Sequence, residues 1–122
     1  MFSIRSGPGR ITAAEAHERT KNRDPAGPVL LDVRETSEWT AGHATGAVHA
    51  PLPELLDGAP LPTAARGRPV VAVCRSGRRS QKAAELLAER GIDAVDVIGG
   101  MQAWTEAGLP VDDGRGGSGA TA

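Results

Sequence analysis

The amino-acid sequence predicts an α/β fold, a small and mostly parallel β-sheet flanked by helices on both faces. Three observations carry that expectation. Two short apolar runs, Val29-Leu30-Leu31-Asp32-Val33 and Val70-Val71-Ala72-Val73, have the length of strands and no polar alternation, as strands buried on both faces do. Helix-start and helix-stop signals fall between such runs. Strands that alternate with helices require crossover connections, and crossovers give parallel pairing.

Each element has a local cause. Thr12-Ala13-Ala14-Glu15 is a capping-box pattern, so a helix is expected from about Ala13 to Lys21, followed by an Asp-, Pro- and Gly-rich turn from Asn22 to Pro28. The run from Val29 to Val33 is the next strand, and Thr36 to Ala41 is a short helix stopped at Gly42. Ala47 to Ala50 reads as a strand cut off by Pro51, and Leu52 to Asp57 as a helical turn with Pro53 near its start. A loop with Pro60, Pro62 and Gly67 leads into the strand Val70 to Val73. The segment Gln81 to Arg90 is an amphipathic helix capped by Gly91. Ile92 to Ile98 is a further strand, Gly99-Gly100 a turn, and Met101 to Ala107 a last helix closed by Gly108.

A chain of 122 residues supports one core of ordinary size. Residues 1–10 read as a lead-in and 11–112 as the domain. Residues 113–122 hold no apolar side chain larger than alanine and read as a disordered tail. One cysteine cannot form an internal disulfide, and neither a leader pattern nor a run of about 20 apolar residues is present, so a cytoplasmic, reducing location off the membrane is expected. The net charge is −1, and removing the four clustered cations Arg75, Arg78, Arg79 and Lys82 leaves −5 for the rest. A weakly acidic body with one basic mouth and only three aromatic residues does not suit nucleic acid; a small anionic ligand does.

That basic mouth surrounds Cys74, the single cysteine, at the bend between the strand and the helix. In a parallel sheet, ligands gather beyond the C-terminal ends of the strands, where Cys74 follows one run and Asp32 with Arg34 follows another. A thiol at a turn before a helix meets exposed N–H groups and the positive end of the helix dipole, an arrangement that favours the nucleophilic thiolate. Without that setting a lone cysteine is usually a small buried hydrophobe. No Cys/His cluster is present, so neither metal nor other cofactor is expected.

Four segments together resemble the rhodanese-like sulfurtransferases in single-domain form. These are Leu31-Asp32-Val33-Arg34-Glu35; Glu38-Trp39 with Gly42-His43 and Gly46-Ala47; Cys74-Arg75-Ser76-Gly77-Arg78-Arg79-Ser80; and Gly99-Gly100-Met101-Gln102-Ala103-Trp104 with Gly108-Leu109-Pro110-Val111. The resemblance implies sulfane-sulfur transfer, with Cys74 carrying a persulfide between a small anionic donor such as thiosulfate and an acceptor that is cyanide, a thiol or a partner protein. A persulfide is anionic and suits the converging N–H groups of the turn from Arg75 to Arg79, where Gly77 lets the backbone approach closely. Arg79, Arg75 or Arg78 can bind the donor's oxygens, and the spacing does not choose among them. Ser76 and Ser80 complete the loop. Asp32 and Arg34 read as a supporting ion pair that ties two loops, ahead of direct catalysis. Trp39 and Trp104 read as packing, and His43 and His49 as hydrogen-bonded structural groups.

Two other readings compete with this one. Cysteine-dependent phosphatases and arsenate reductases place five residues between the cysteine and an arginine; here Arg79 follows after four, and Ser80 stands at the phosphatase position. A persulfide relay or binding module with little turnover on small donors is the alternative within the resemblance; the absence of a second, resolving cysteine fits either case, since the second step uses an external acceptor.

Overall fold

The computed structural model of this chain describes residues 8–113. Most of the expected lead-in and tail, residues 1–7 and 114–122, lies outside the described residues. In order the elements are β1 (Arg10–Ile11), α1 (Ala13–Thr20), β2 (Val29–Asp32), α2 (Thr36–Ala41), β3 (His43–Ala44), β4 (Val48–His49), α3 (Leu52–Leu56), a 3-10 turn (Thr63–Ala65), β5 (Val70–Val73), α4 (Arg79–Glu89), β6 (Ala94–Val97), α5 (Gly100–Glu106) and β7 (Val111–Asp112). Five strands form a parallel sheet in the order β1-β6-β5-β2-β4, and β3 pairs with β7 in a separate antiparallel ribbon. The mostly parallel α/β architecture is the one the apolar runs imply.

Every residue of β2 and β5 is buried, and alternate side chains serve opposite cores. Val29, Leu31, Val70 and Ala72 pack with Leu55, Ala83, Ala84 and Leu87 beneath α3 and α4. Leu30, Val71 and Val73 pack with Ala13, Ala16, Met101 and Trp104 beneath α1 and α5. Helices therefore cover both faces, which is why neither strand shows a polar alternation.

The ends of the elements explain where sequence and structure differ. At α1, Thr12 Oγ1 accepts from the Glu15 N–H and Glu15 Oε1 accepts from the Thr12 N–H, a bond that holds the Glu15 carboxyl below its ordinary value. The strand expected from Ile92 starts only at Ala94, because Ile92 still closes α4. Its N–H donates to the Leu87 carbonyl and that of Gly91 to the Ala88 carbonyl, with Gly91 at φ +82°. The helix α4 begins at Arg79, two residues before the expected Gln81, which draws Ser80 into its first turn and buries it. The two-residue strands β1, β3 and β7 carry no periodicity and were not expected from the sequence.

Candidate functional site

The strand β5 is central, and the chain crosses outward from it in opposite senses, towards β6 and β1 on one side and β2 and β4 on the other. A crevice at that switch, beyond the strand C-termini, is where such sheets hold ligands. Cys74 is the first residue past β5, 1% exposed. The Gly77 N–H donates to its Sγ at 3.1 Å, and the Cys74 thiol donates to Ser80 Oγ at 3.3 Å. Gly77 adopts φ +106°, and a Cβ there would lie 3.1 Å from the Gly99 nitrogen and 3.5 Å from the Val97 carbonyl oxygen. The turn can thus be this tight only with glycine at its apex.

The back of the loop is fixed by α5. The Met101 N–H donates to the Cys74 carbonyl at 2.7 Å and the Gln102 N–H to the Arg75 carbonyl at 3.0 Å. The first turn of one helix so holds the backbone that carries the sulfur, while α4 starts on its other side.

The loop arginines divide into two kinds. Arg79 is committed: its Nη1 and Nη2 donate to Glu38 Oε1 and Oε2 at 2.5 and 2.8 Å. This forked pair holds the Glu38 carboxyl down to about 2, chiefly through the hydrogen bond from Arg79, and raises the Arg79 guanidinium. Arg75 and Arg78 are exposed, and no hydrogen bond or ion pair engages their guanidinium groups among the described residues. Ser76 is exposed beside them.

The Glu38–Arg79 pair predicts a pH-dependent contribution to stability. Its carboxylate is depressed by folding, so the contribution is present above the ordinary carboxylate value of 4.5 and is lost as pH falls towards about 2. Because Arg79 is a third exposed, screening reduces the worth of the pair to about 1–2 kcal/mol. Glu38→Gln is expected to lower stability by that amount at pH 7, and urea titrations of the two proteins should converge between pH 4.5 and 2.

Asp32 and Arg34 are fully buried and form an ion pair beside the site. Arg34 Nε donates to both Asp32 oxygens at 3.0 Å, and Nη2 donates to Asp32 Oδ2 at 2.8 Å and to the Gly42 carbonyl at 2.6 Å. The pair joins the end of β2 to the end of α2 and does not touch the sulfur through any hydrogen bond. His49 Nε2 bonds to the Arg34 carbonyl and His43 Nδ1 to the Trp39 carbonyl, and both rings stack on Trp39, at 4.8 and 3.5 Å between centroids. Trp104 is buried and donates its Nε1–H to the Pro110 carbonyl.

Sequence reasoning passed over Asp96 and Arg10. Asp96 on β6 is 1% exposed, accepts from the Ser80 hydroxyl at 3.0 Å, and pairs with Arg10 Nε and Nη2 at 2.9 and 3.0 Å. A signal for Asp96 existed, a lone carboxylate inside an otherwise apolar strand. None existed for Arg10, whose partners lie at the far end of the chain.

A central strand ending in a lone thiol under a glycine-hinged basic loop defines the class of site. The family profile described as the rhodanese-like domain matches residues 12–107. The chain belongs to the rhodanese-like family. It is 40% identical over 85 residues to the thiosulfate sulfurtransferase GlpE of Actinobacillus succinogenes, covering 69% of this chain and 75% of that protein. It is 36% identical over 101 residues to the adenylyltransferase and sulfurtransferase MOCS3-2 of Zea mays, covering 78% of this chain and 20% of that protein. The chain thus spans less than half the length of several curated relatives that it matches. Among solved structures, a rhodanese-related protein from Thermoplasma volcanium superposes with a TM-score of 0.71 at 33% identity, covering 86% of this chain and 98% of that one. These relatives support sulfurtransferase chemistry in general terms. No helix of the described residues is long and apolar enough to cross a membrane.

Proposed function

We propose that this chain is a cytoplasmic thiosulfate sulfurtransferase-type enzyme that carries sulfane sulfur as a persulfide on Cys74. The Cys74 thiolate attacks the outer sulfur of a small anionic donor such as thiosulfate. The donor's S–S bond breaks, and sulfite leaves with the electron pair. A thiophilic acceptor, cyanide or a thiol, then attacks the outer sulfur of the persulfide and regenerates the thiolate. The observation that carries this reading is the Gly77 N–H aimed at Sγ inside a loop that α5 holds from behind. The uncommitted Arg75 and Arg78 are the groups suited to the donor's oxygens. Both lie exposed on the loop that carries the buried Cys74, where they can meet an anionic donor.

Intact-mass analysis tests the reading. Thiosulfate is expected to add one sulfur atom to the protein, cyanide to remove it, and Cys74→Ser to abolish both. An adduct on the serine variant, or none on the parent, overturns it. A relay of persulfide from a partner protein is the second reading, favoured by the near-complete burial of Cys74. Loading that is slow from thiosulfate and fast from a protein persulfide would select it. Phosphoryl transfer is disfavoured, since Arg79 comes one residue too early and its guanidinium is held by Glu38.

A further inference from the structure

Behind the sulfur lies a chain of groups for which the transfer chemistry above has no use. The Cys74 thiol donates to Ser80 Oγ, the Ser80 hydroxyl donates to Asp96 Oδ2, and Arg10 donates to both Asp96 oxygens. Arg10 Nη2 also donates to the Gly77 carbonyl at 2.9 Å, in the residue whose N–H faces Sγ. Asp96 and Ser80 are buried, so water does not compete for these bonds.

A hydroxyl has one proton to give. While Cys74 is a thiol, its own S–H satisfies Ser80 Oγ and the Ser80 proton belongs to Asp96. Once Cys74 is anionic it needs donors, and the Ser80 proton is the only side-chain one within reach of Sγ among the hydrogen bonds described. Asp96 and the sulfur are then competitors for that proton. Asp96 can release it because Arg10 still supplies two N–H groups to the carboxylate.

We propose that Asp96 is a positioning residue that, acting through Ser80 and balanced by Arg10, sets the pH at which Cys74 becomes a thiolate. Ionisation sends the thiol proton to solvent while the Ser80 hydroxyl turns about its Cβ–Oγ bond from Asp96 to Sγ. No covalent bond in the relay is made or broken. The charged groups around Cys74 on the packed elements are Arg10 on β1, Asp96 on β6, the Asp32–Arg34 pair at the end of β2, and Arg79 on α4 with its partner Glu38 on α2. The loop itself adds Arg75 and Arg78, and α5 presents backbone N–H groups. Arg10 and Arg79 are raised chiefly by the hydrogen bonds to their own carboxylate partners, Asp96 and Glu38.

The proposal rests on Cys74 being the sulfur carrier, yet its test needs no sulfur donor. The rate of iodoacetamide alkylation of the full chain, followed against pH, reads the thiolate directly. Asp96→Asn removes the competing charge and frees the Ser80 proton, so the midpoint is expected to move down by about one pH unit, a tenfold gain in thiolate below the midpoint. Arg10→Gln leaves Asp96 unbalanced and is expected to move the midpoint up. Merely structural roles would move both variants the same way, and that outcome overturns the proposal. In a Ser80→Ala background the Asp96→Asn shift is expected to fall below half, and in a Ser80→Thr background to persist; an undiminished shift without the hydroxyl overturns the route through Ser80. Should Asp96→Asn fail to fold, Arg10→Gln at a site one-third exposed carries the test alone, and a downward or absent shift overturns it. A chain that never takes up sulfur from thiosulfate would defeat the proposed function and leave these midpoints readable.

Discussion

Gly100→Ala is expected to cost about 2–5 kcal/mol and to abolish sulfur loading, the sum of overpacking and of left-handed strain. Gly100 has φ +56°, and a Cβ on it would meet the Cys74 carbonyl oxygen at 2.3 Å and the carbonyl carbon and oxygen of Arg75 at 2.7 Å. These are backbone atoms and cannot rotate aside. The only relief is to withdraw α5 from the loop, which breaks the Met101 and Gln102 hydrogen bonds that hold the sulfur-bearing segment. Gly108→Ala is the matched control: its φ is +71°, but nothing lies within 4 Å of the added carbon, so only about 1 kcal/mol of strain is expected. Urea midpoints for the two variants, set beside intact mass after thiosulfate treatment, separate the clash from the strain.

The second large effect is expected from Asp32→Asn. The substitution keeps the shape and removes the charge, leaving the Arg34 guanidinium buried without a counter-ion at a cost of about 3–5 kcal/mol. Against the 5–15 kcal/mol that holds a domain of this size together, that is a large share. One amide oxygen and the Gly42 carbonyl still accept from Arg34, but the amide NH2 turns a donor towards the guanidinium, and Nη1 is already buried without a partner. Pairing the change with Arg34→Met removes the stranded charge, so the double variant is expected to be more stable than Asp32→Asn alone. Thermal melts of the two decide it; a double variant less stable than the single would mean that the guanidinium packs the β2–α2 junction by shape and not by charge.

The parallel sheet was legible because strands buried on both faces leave an unbroken apolar run, and β2 and β5 do so. The capping box at Thr12 and the glycine that ends α4 were legible because their bonds join residues close in sequence. The turn from Cys74 to Ser80 was legible for the same reason: the residues that shape it stand in seven consecutive positions. Contacts that cross the chain were not. Charge counting credits Arg79 to the open mouth, whereas Glu38, 41 residues earlier, has already claimed it. The Arg10–Asp96 pair spans 86 positions, so although Asp96 stands out as a carboxylate within an apolar strand, nothing near it in the sequence names its partner. Strands of two residues, such as β1, are defined by their neighbour and not by any pattern of their own.

The pocket around the sulfur is assembled from both ends of the domain, with Arg10 on its first strand and Gly100 to Gln102 on its last helix. A polypeptide made from its amino end therefore carries a bare cysteine, lacking half its cradle, until that last helix has been synthesised and has docked. The setting of this cysteine is a late product of folding, and a fragment cut short before α5 keeps the thiol but not the bonds that fix its loop.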